Sequence, residues 1–195
     1  MSTGRSHKMK RGKHDHRTGG QRGFTLMELM VGISVLGILT AVAVPSFTNM
    51  INRNRLAGQS NELLGAIQYA RTEAIRTNAR VTFCGASSAD AAADDDCGAG
   101  AQSHWVVIGS TGGGGQEQLR EYTVKEPLAV STDLERITFT ADGLARDPVT
   151  QALLTGEITV CLPTTNPPQN KRVLNIASGS RVAITTPAED GEGTC

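Results

Sequence analysis

Residues 24–44 read FTLMELMVGISVLGILTAVAV, twenty-one residues carrying one charge, Glu28. A helix of that length reaches about 31 Å, enough to cross the hydrocarbon core of a bilayer. No other stretch of the 195-residue chain comes near it. A helix apolar on all sides is a poor core element for so small a soluble domain, so the run predicts a single membrane-spanning helix. The alternative is a secretory signal peptide. The run is longer than the roughly 7–15 apolar residues of such a signal. Ala41-Val42-Ala43 also leads straight into Val44-Pro45, with no clean cleavage site followed by a turn.

Charge sets the expected orientation. Lys+Arg and Asp+Glu balance at 19 each, but residues 1–22 hold seven Lys/Arg and one Asp, net +6. The remaining residues hold twelve against eighteen, net −6. A basic flank on the N-terminal side keeps the leader in the cytoplasm and sends the rest across the membrane. The acidic body argues against a strongly basic nucleic-acid binder. The 38% hydrophobic content excludes a wholly disordered chain.

Glu28 is the anomaly. A carboxylate inside a membrane segment costs a few kcal/mol, about 2.5–3.5 on insertion scales, and usually has a partner or a function. Snorkelling to the nearby interface is the simplest alternative explanation. The surrounding residues are Arg22-Gly23-Phe24-Thr25-Leu26-Met27-Glu28-Leu29. This resembles the type III signal of type IV pilins, pseudopilins and related filament subunits: a basic leader ending in Gly, then Phe, with Glu at the fifth mature position. The resemblance implies cleavage between Gly23 and Phe24 by a prepilin peptidase and N-methylation of Phe24. It also implies that Glu28 pairs with the new amino terminus of a neighbouring subunit. Such a pair sets axial register, because an unpaired charge in an apolar core is costly. Met1 and Met9 are both candidate starts; Met9 leaves a 15-residue leader.

Beyond Pro45, which is expected to kink the helix or loosen one turn, the pattern turns amphipathic. Leu56, Leu63, Ile67, Ala70 and Ala74 fall at helical offsets, with Arg53, Arg55, Glu62, Arg71, Glu73 and Arg76 filling much of the rest. One helix over residues 24–78 is expected, its second half packed on a sheet and its arginines forming a solvated face. Gly32 and Gly37 permit close helix–helix contact. The phrases Asn61-Glu62-Leu63-Leu64, Ala70-Arg71-Thr72-Glu73-Ala74-Ile75 and Val81-Thr82-Phe83-Cys84 resemble the GspH/FimT branch of pseudopilins and minor pilins. In that branch such a helix runs into a strand ending in Cys. The resemblance covers residues 22–85 and returns more weakly at Trp105–Val107, Ile137–Phe139, Val160–Leu162 and Ser178–Val182.

Residues 80–186 read as short β runs separated by turn chemistry. The predicted strands are 80–84, 105–108, 119–124, 137–140, 157–162, 172–177 and 181–185. Asp142-Gly143 and Ser178-Gly179 are the expected turns, and Gly112 to Gly115 a flexible loop without the Lys of a phosphate cradle. The expected fold is α+β, pilin-like: a long N-terminal helix on an antiparallel β-sheet head. The expected segments are a cleaved leader (1–23), a transmembrane helix (24–44), its amphipathic continuation (45–79) and a β-rich periplasmic head (80–195).

Cys84, Cys97, Cys161 and Cys195 all fall on the exported side, and an even count in an oxidising compartment suggests two disulfides. Three pairings exist. Cys84–Cys97, closing a local acidic loop, with Cys161–Cys195, tying down the C-terminal tail, is favoured, though spacing alone leaves the others open. A zinc site is disfavoured by the absence of CxxC and by His104 being the one exported histidine. Asp90 and Asp94 to Asp96 lack the alternation and glycine of an EF-hand loop and read as a solvated acidic loop. No nucleophile–His–acid set stands out, so neither catalysis nor a cofactor is expected.

The resemblance implies a minor pilin or pseudopilin of a type IV pilus or type II secretion pseudopilus, contributing to fibre assembly, tip function or protein secretion. Its expected partners are other pilins, the prepilin peptidase and the inner-membrane assembly platform. The alternative is a DNA-binding minor pilin for natural transformation. Some members of the branch carry a C-terminal Gly-Arg-x-Arg loop for this. Here Ser178-Gly179-Ser180-Arg181-Val182-Ala183 keeps one Gly and one Arg, with Lys171 and Arg172 adding charge. Phosphate binding draws on several such groups together.

Overall fold

The computed structural model describes residues 23–147, 149–178, 181–188 and 193–195. The basic leader with Met1 and Met9, and Gly179 and Ser180 of the expected C-terminal turn, lie outside them. The chain divides into two compact units, Met1–Val42 and Ala43–Cys195.

One helix, α1, spans Leu26–Thr77. Thr25 caps its start: the carbonyl accepts from the Leu29 N–H (3.1 Å) and the hydroxyl from the Glu28 N–H (3.2 Å), satisfying one of the donors a helix start leaves open. The helix continues through position 45. At its end Asn78 takes a left-handed φ of 50°. The Ala79 N–H returns to the Ala74 carbonyl (3.3 Å) and the Asn78 N–H to that of Ile75 (3.4 Å), the bond pair of a Schellman stop.

Ten strands follow: β1 Val81–Ala86, β2 Cys97–Gly98, β3 Gly100–Ala101, β4 His104–Ser110, β5 Gln116–Thr123, β6 Ala129–Thr132, β7 Ile137–Phe139, β8 Gly156–Cys161, β9 Lys171–Ala177 and β10 Arg181–Thr185. They form two antiparallel sheets rather than one. The first runs β2-β1-β4-β5, with β7 also paired to β1; the second runs β10-β9-β8-β6-β3. The glycine run is the β4–β5 hairpin loop, closed by the Thr111 N–H on the Gly115 carbonyl at 2.8 Å. At the Asp142-Gly143 turn Gly143 has φ 75°, and a Cβ there would stand 2.7 Å from Ile75 Cδ1 of α1. Only glycine fits both demands.

Within the second unit, Leu56, Leu63, Ala66, Ile67, Ala70 and Ala74 of α1 are fully or almost fully buried. They meet Val81, Phe83, Trp105, Val107, Ile158, Val160, Leu174 and Ile176 in one core fed by both sheets. Phe83 stacks on Trp105 with ring centroids 5.3 Å apart. The sheets differ in cover. In the second, β8 and β9 alternate buried Ile158, Val160, Leu174 and Ile176 with less buried neighbours, the mark of a sheet with one wet face. In the first, β1 is buried at every position. Its outer-face residues Cys84 and Ala86 join Val106, Ile108 and Ala91 in a second small cluster. The acidic loop therefore does more than sit in solvent: through Ala91, 3% exposed, it covers the back of the sheet.

Candidate functional site

The N-terminal end of α1 carries the processing and assembly residues expected from sequence. Gly23 and Phe24 lie in irregular backbone ahead of the helix, and Phe24 is 84% exposed. The Gly23–Phe24 bond thus lies outside regular secondary structure, just ahead of the helix. Glu28 sits in the first helical turn, where the macrodipole favours an acid. It is exposed, and among the described residues no cation pairs with its carboxylate. Thr25 was not singled out by sequence reasoning, although Thr25-x-x-Glu28 has the spacing of a capping box.

From Leu26 to Leu39 every large apolar side chain of α1 is at least half exposed. By length and composition α1, Leu26–Thr77, includes a stretch long and apolar enough to cross a membrane. Its few hydroxyls bond back to the helix: Ser34 donates to the Met30 carbonyl (2.8 Å) and Thr40 to that of Gly37 (2.9 Å). Neither therefore needs water, a requirement for any polar group in lipid.

In the head, Cys84 is joined to Cys97 and Cys161 to Cys195, with Cα separations of 5.5 and 5.7 Å. The first holds the loop that covers the outer face of β1. The second brings the C-terminus against the end of β8. There buried Asn170 donates to the Leu162 carbonyl (2.9 Å) and reaches that of Thr194 (3.5 Å). His104 opens β4 and bonds Glu121 of β5 at 3.0 Å. His104 and the Thr123 hydroxyl hold the Glu121 carboxyl below its ordinary range. The aspartates of the acidic loop form a 3-10 turn, where Asp96 accepts from the Ala92 and Ala93 N–H groups.

The three basic residues of the DNA alternative are not brought together. Lys171 and Arg172 open β9, whereas Arg181 pairs with Ala177 at its other end, about 20 Å away at strand rise. Arg172 turns inward, donating to the Gln169 (3.2 Å) and Lys171 (2.7 Å) carbonyls. Burial, with the nearby Arg53, pulls its pKa below the usual arginine value.

A capped, apolar N-terminal helix continuing into an amphipathic half, packed on antiparallel sheets, defines a type IV pilin-like protein. Residues 19–44 match the model of the prokaryotic N-terminal methylation motif, and residues 59–181 match that of the Type II transport protein GspH. The chain belongs to the GspH family. The type IV major fimbrial protein FimA of Dichelobacter nodosus is 29% identical over 116 residues, 58% of this chain and 67% of that protein. The fimbrial protein of Moraxella nonliquefaciens is 39% identical over 74 residues, 38% of this chain and 45% of that protein. Two solved structures share the fold. The type IV minor pilin FimU of Pseudomonas aeruginosa has a TM-score of 0.50 at 22% identity, over 70% of this chain and 96% of its own. The minor pseudopilin EpsH of the Vibrio cholerae Type 2 Secretion System has a TM-score of 0.50 at 10% identity, over 69% and 99%. The apolar helix and the methylation motif together fit a pilin anchored in the inner membrane.

Proposed function

We propose that this chain is a minor subunit of a type IV pilus or a type II secretion pseudopilus. The basic leader stays in the cytoplasm, the helix over 24–44 is held in the inner membrane, and the head lies in the periplasm. A prepilin peptidase cuts between Gly23 and Phe24, and Phe24 is N-methylated. The helix then leaves lipid for the fibre core through the assembly platform, with Glu28 pairing to the amino terminus of an adjacent subunit. The work is assembly or tip presentation in the fibre, not catalysis.

The observation that carries this reading is the junction of two matches on one chain, the methylation motif at 19–44 and the GspH head at 59–181. The N-terminal part of the helix supports it physically: its large apolar residues from Leu26 to Leu39 are exposed, and among the described residues no cation pairs with Glu28. The test is incorporation of Glu28→Ala into sheared fibres. Cleavage is expected to proceed while incorporation falls sharply; normal incorporation would remove the pairing role. Binding of external DNA remains the alternative, and the separation of Arg181 from Lys171 and Arg172 weighs against it.

A further inference from the structure

Two arginines far apart in sequence, Arg53 of α1 and Arg172 of β9, come together in the second unit. The core row of β9 is Ile176, Leu174 and then Arg172; the first two are buried and the last half-buried. Alternation puts Lys171 on the other face, opposite Cys161. On α1 the Asn52 amide donates to the Asn166 carbonyl (2.7 Å), in the segment that leads into β9. Arg53 follows Asn52, and its charge adds to burial in holding the Arg172 pKa below the usual arginine value.

Like charges at close quarters repel unless an anion lies with them. Among the described residues neither arginine has a carboxylate partner, whereas Arg76, Lys125, Arg136 and Arg146 each have one. Arg172 is nonetheless fixed in direction, its Nη1 donating to the Gln169 and Lys171 carbonyls. Arg53 is exposed, so an anion from outside the chain can reach it.

Place and lining select the anion. After Glu28 the next charges in the chain are Arg53 and Arg55, both basic and both on the side read as exported, where topology favours few cations. Arg53 borders an open cleft of about 330 Å³ with Ser46, Asn49, Met50 and Asn54, none of them acidic. Met50, Phe47 and Ile51 are exposed apolar side chains on the same stretch of helix. A cation above uncharged polar groups and exposed apolar surface suits a ligand with an anionic head and a hydrocarbon tail. By helix rise Ser46 lies about 3 Å past Val44, the end of the apolar run, and Arg53 about 14 Å. A headgroup layer is about 5–7 Å deep, and the long stem of an arginine lets its charge reach back to it. We infer that Arg53 and Arg172 hold the phosphate of an anionic phospholipid at the periplasmic surface of the inner membrane, its chains running back past Met50. The lipid would seat the head on the membrane before the subunit enters a fibre. This rests on the proposed membrane anchoring.

Native mass spectrometry of the full chain in detergent, titrated with phosphatidylglycerol or phosphatidylcholine, is the test. The chain is expected to hold phosphatidylglycerol about tenfold more tightly. Arg53→Gln is expected to remove most of that preference, and Arg80→Gln, exposed just past the end of α1, to keep it. The melting temperature of Arg53→Gln is expected to stay level or rise, because the change relieves repulsion and breaks no ion pair. Equal affinity for the two lipids, an unchanged preference in Arg53→Gln, an equal loss in Arg80→Gln or a marked fall in the Arg53→Gln melting temperature would each overturn the inference. Displacement of the lipid by inorganic phosphate or a short oligonucleotide at matched concentration would overturn it too, by making the site one for phosphate in general. Absence of the unmodified chain from the membranes of cells that produce it would instead sink the anchoring reading, and this inference with it.

Discussion

The two halves of α1 have the same secondary structure and opposite environments. From Leu26 to Leu39 the large apolar residues are exposed; from Leu56 to Ala74 the apolar stripe is buried beneath the sheets. The second half finds its apolar partners within its own chain. Among the described residues of its own unit the first has none, which leaves lipid or other helices to cover it. One helix thus joins a self-sufficient fold to a segment that is complete only in company, which suits a subunit that waits in a membrane and then enters a fibre.

Separating the halves gives the largest expected effect. A chain lacking residues 1–44, exported to an oxidising compartment, is expected to leave the membrane fraction entirely while melting like the full-length head. Loss of the head's cooperative transition would show that the two regions are energetically coupled. Next come the disulfides, which act on the head alone. Removing Cys161–Cys195, a separation of 34 residues, is expected to cost the head about 4 kcal/mol, and removing Cys84–Cys97, at 13, about 3, by loop-closure entropy. Denaturant unfolding of the double-alanine variants measures both, and neither is expected to alter membrane retention.

A matched pair sharpens the contrast. Leu63→Ala is expected to destabilise the head by about 2–5 kcal/mol, whereas Leu36→Ala, at a position 60% exposed, is expected to change it by less than about 0.5. Equal effects in denaturant melts of the solubilised chain would erase the distinction drawn here. The smallest expected effect is on pH. Glu73 is held below its ordinary range by Arg76; Asp142 by Thr140, the Leu144 N–H and Arg146; and Asp147 by Thr150 and the Val149 N–H. Depressed acids stabilise above their unfolded pKa and lose that contribution as pH falls through the folded value. The head's melting temperature is therefore expected to be flat near neutrality and to decline slightly below about pH 4. A decline setting in above pH 6 would point to other groups.

The parts of the fold legible in the sequence were those set by local pattern. The apolar run and the 3.6-residue stripe marked α1 to within two residues at its start and one at its end. β4, β9 and β10 announced themselves as β-branched runs between turns, and the favoured cysteine pairs are the ones joined in the structure. What stayed hidden depends on distant partners. β6, Ala129–Thr132, follows Pro127 and is not among the predicted strands; its pairing with β8 makes it one. β2 and β3 are two residues each and glycine-containing, and only their places beside β1 and β6 define them. Division into two sheets is likewise a matter of topology. At the candidate site, Gly23, Phe24 and Glu28 stood out because an acid in an apolar run is rare. Thr25 did not, although its place three residues before Glu28 was the signal.

The central claim is that the apolar half of α1 is trimmed at its inner end and kept. Mass spectrometry of the N-terminal peptide from membranes and sheared fibres, in cells with and without prepilin peptidase, tests it most directly. The account predicts N-methylated Phe24 as the first residue when the peptidase is present and an intact leader when it is absent. A mature chain beginning after the apolar run, or one that keeps its leader in the presence of the peptidase, would contradict it.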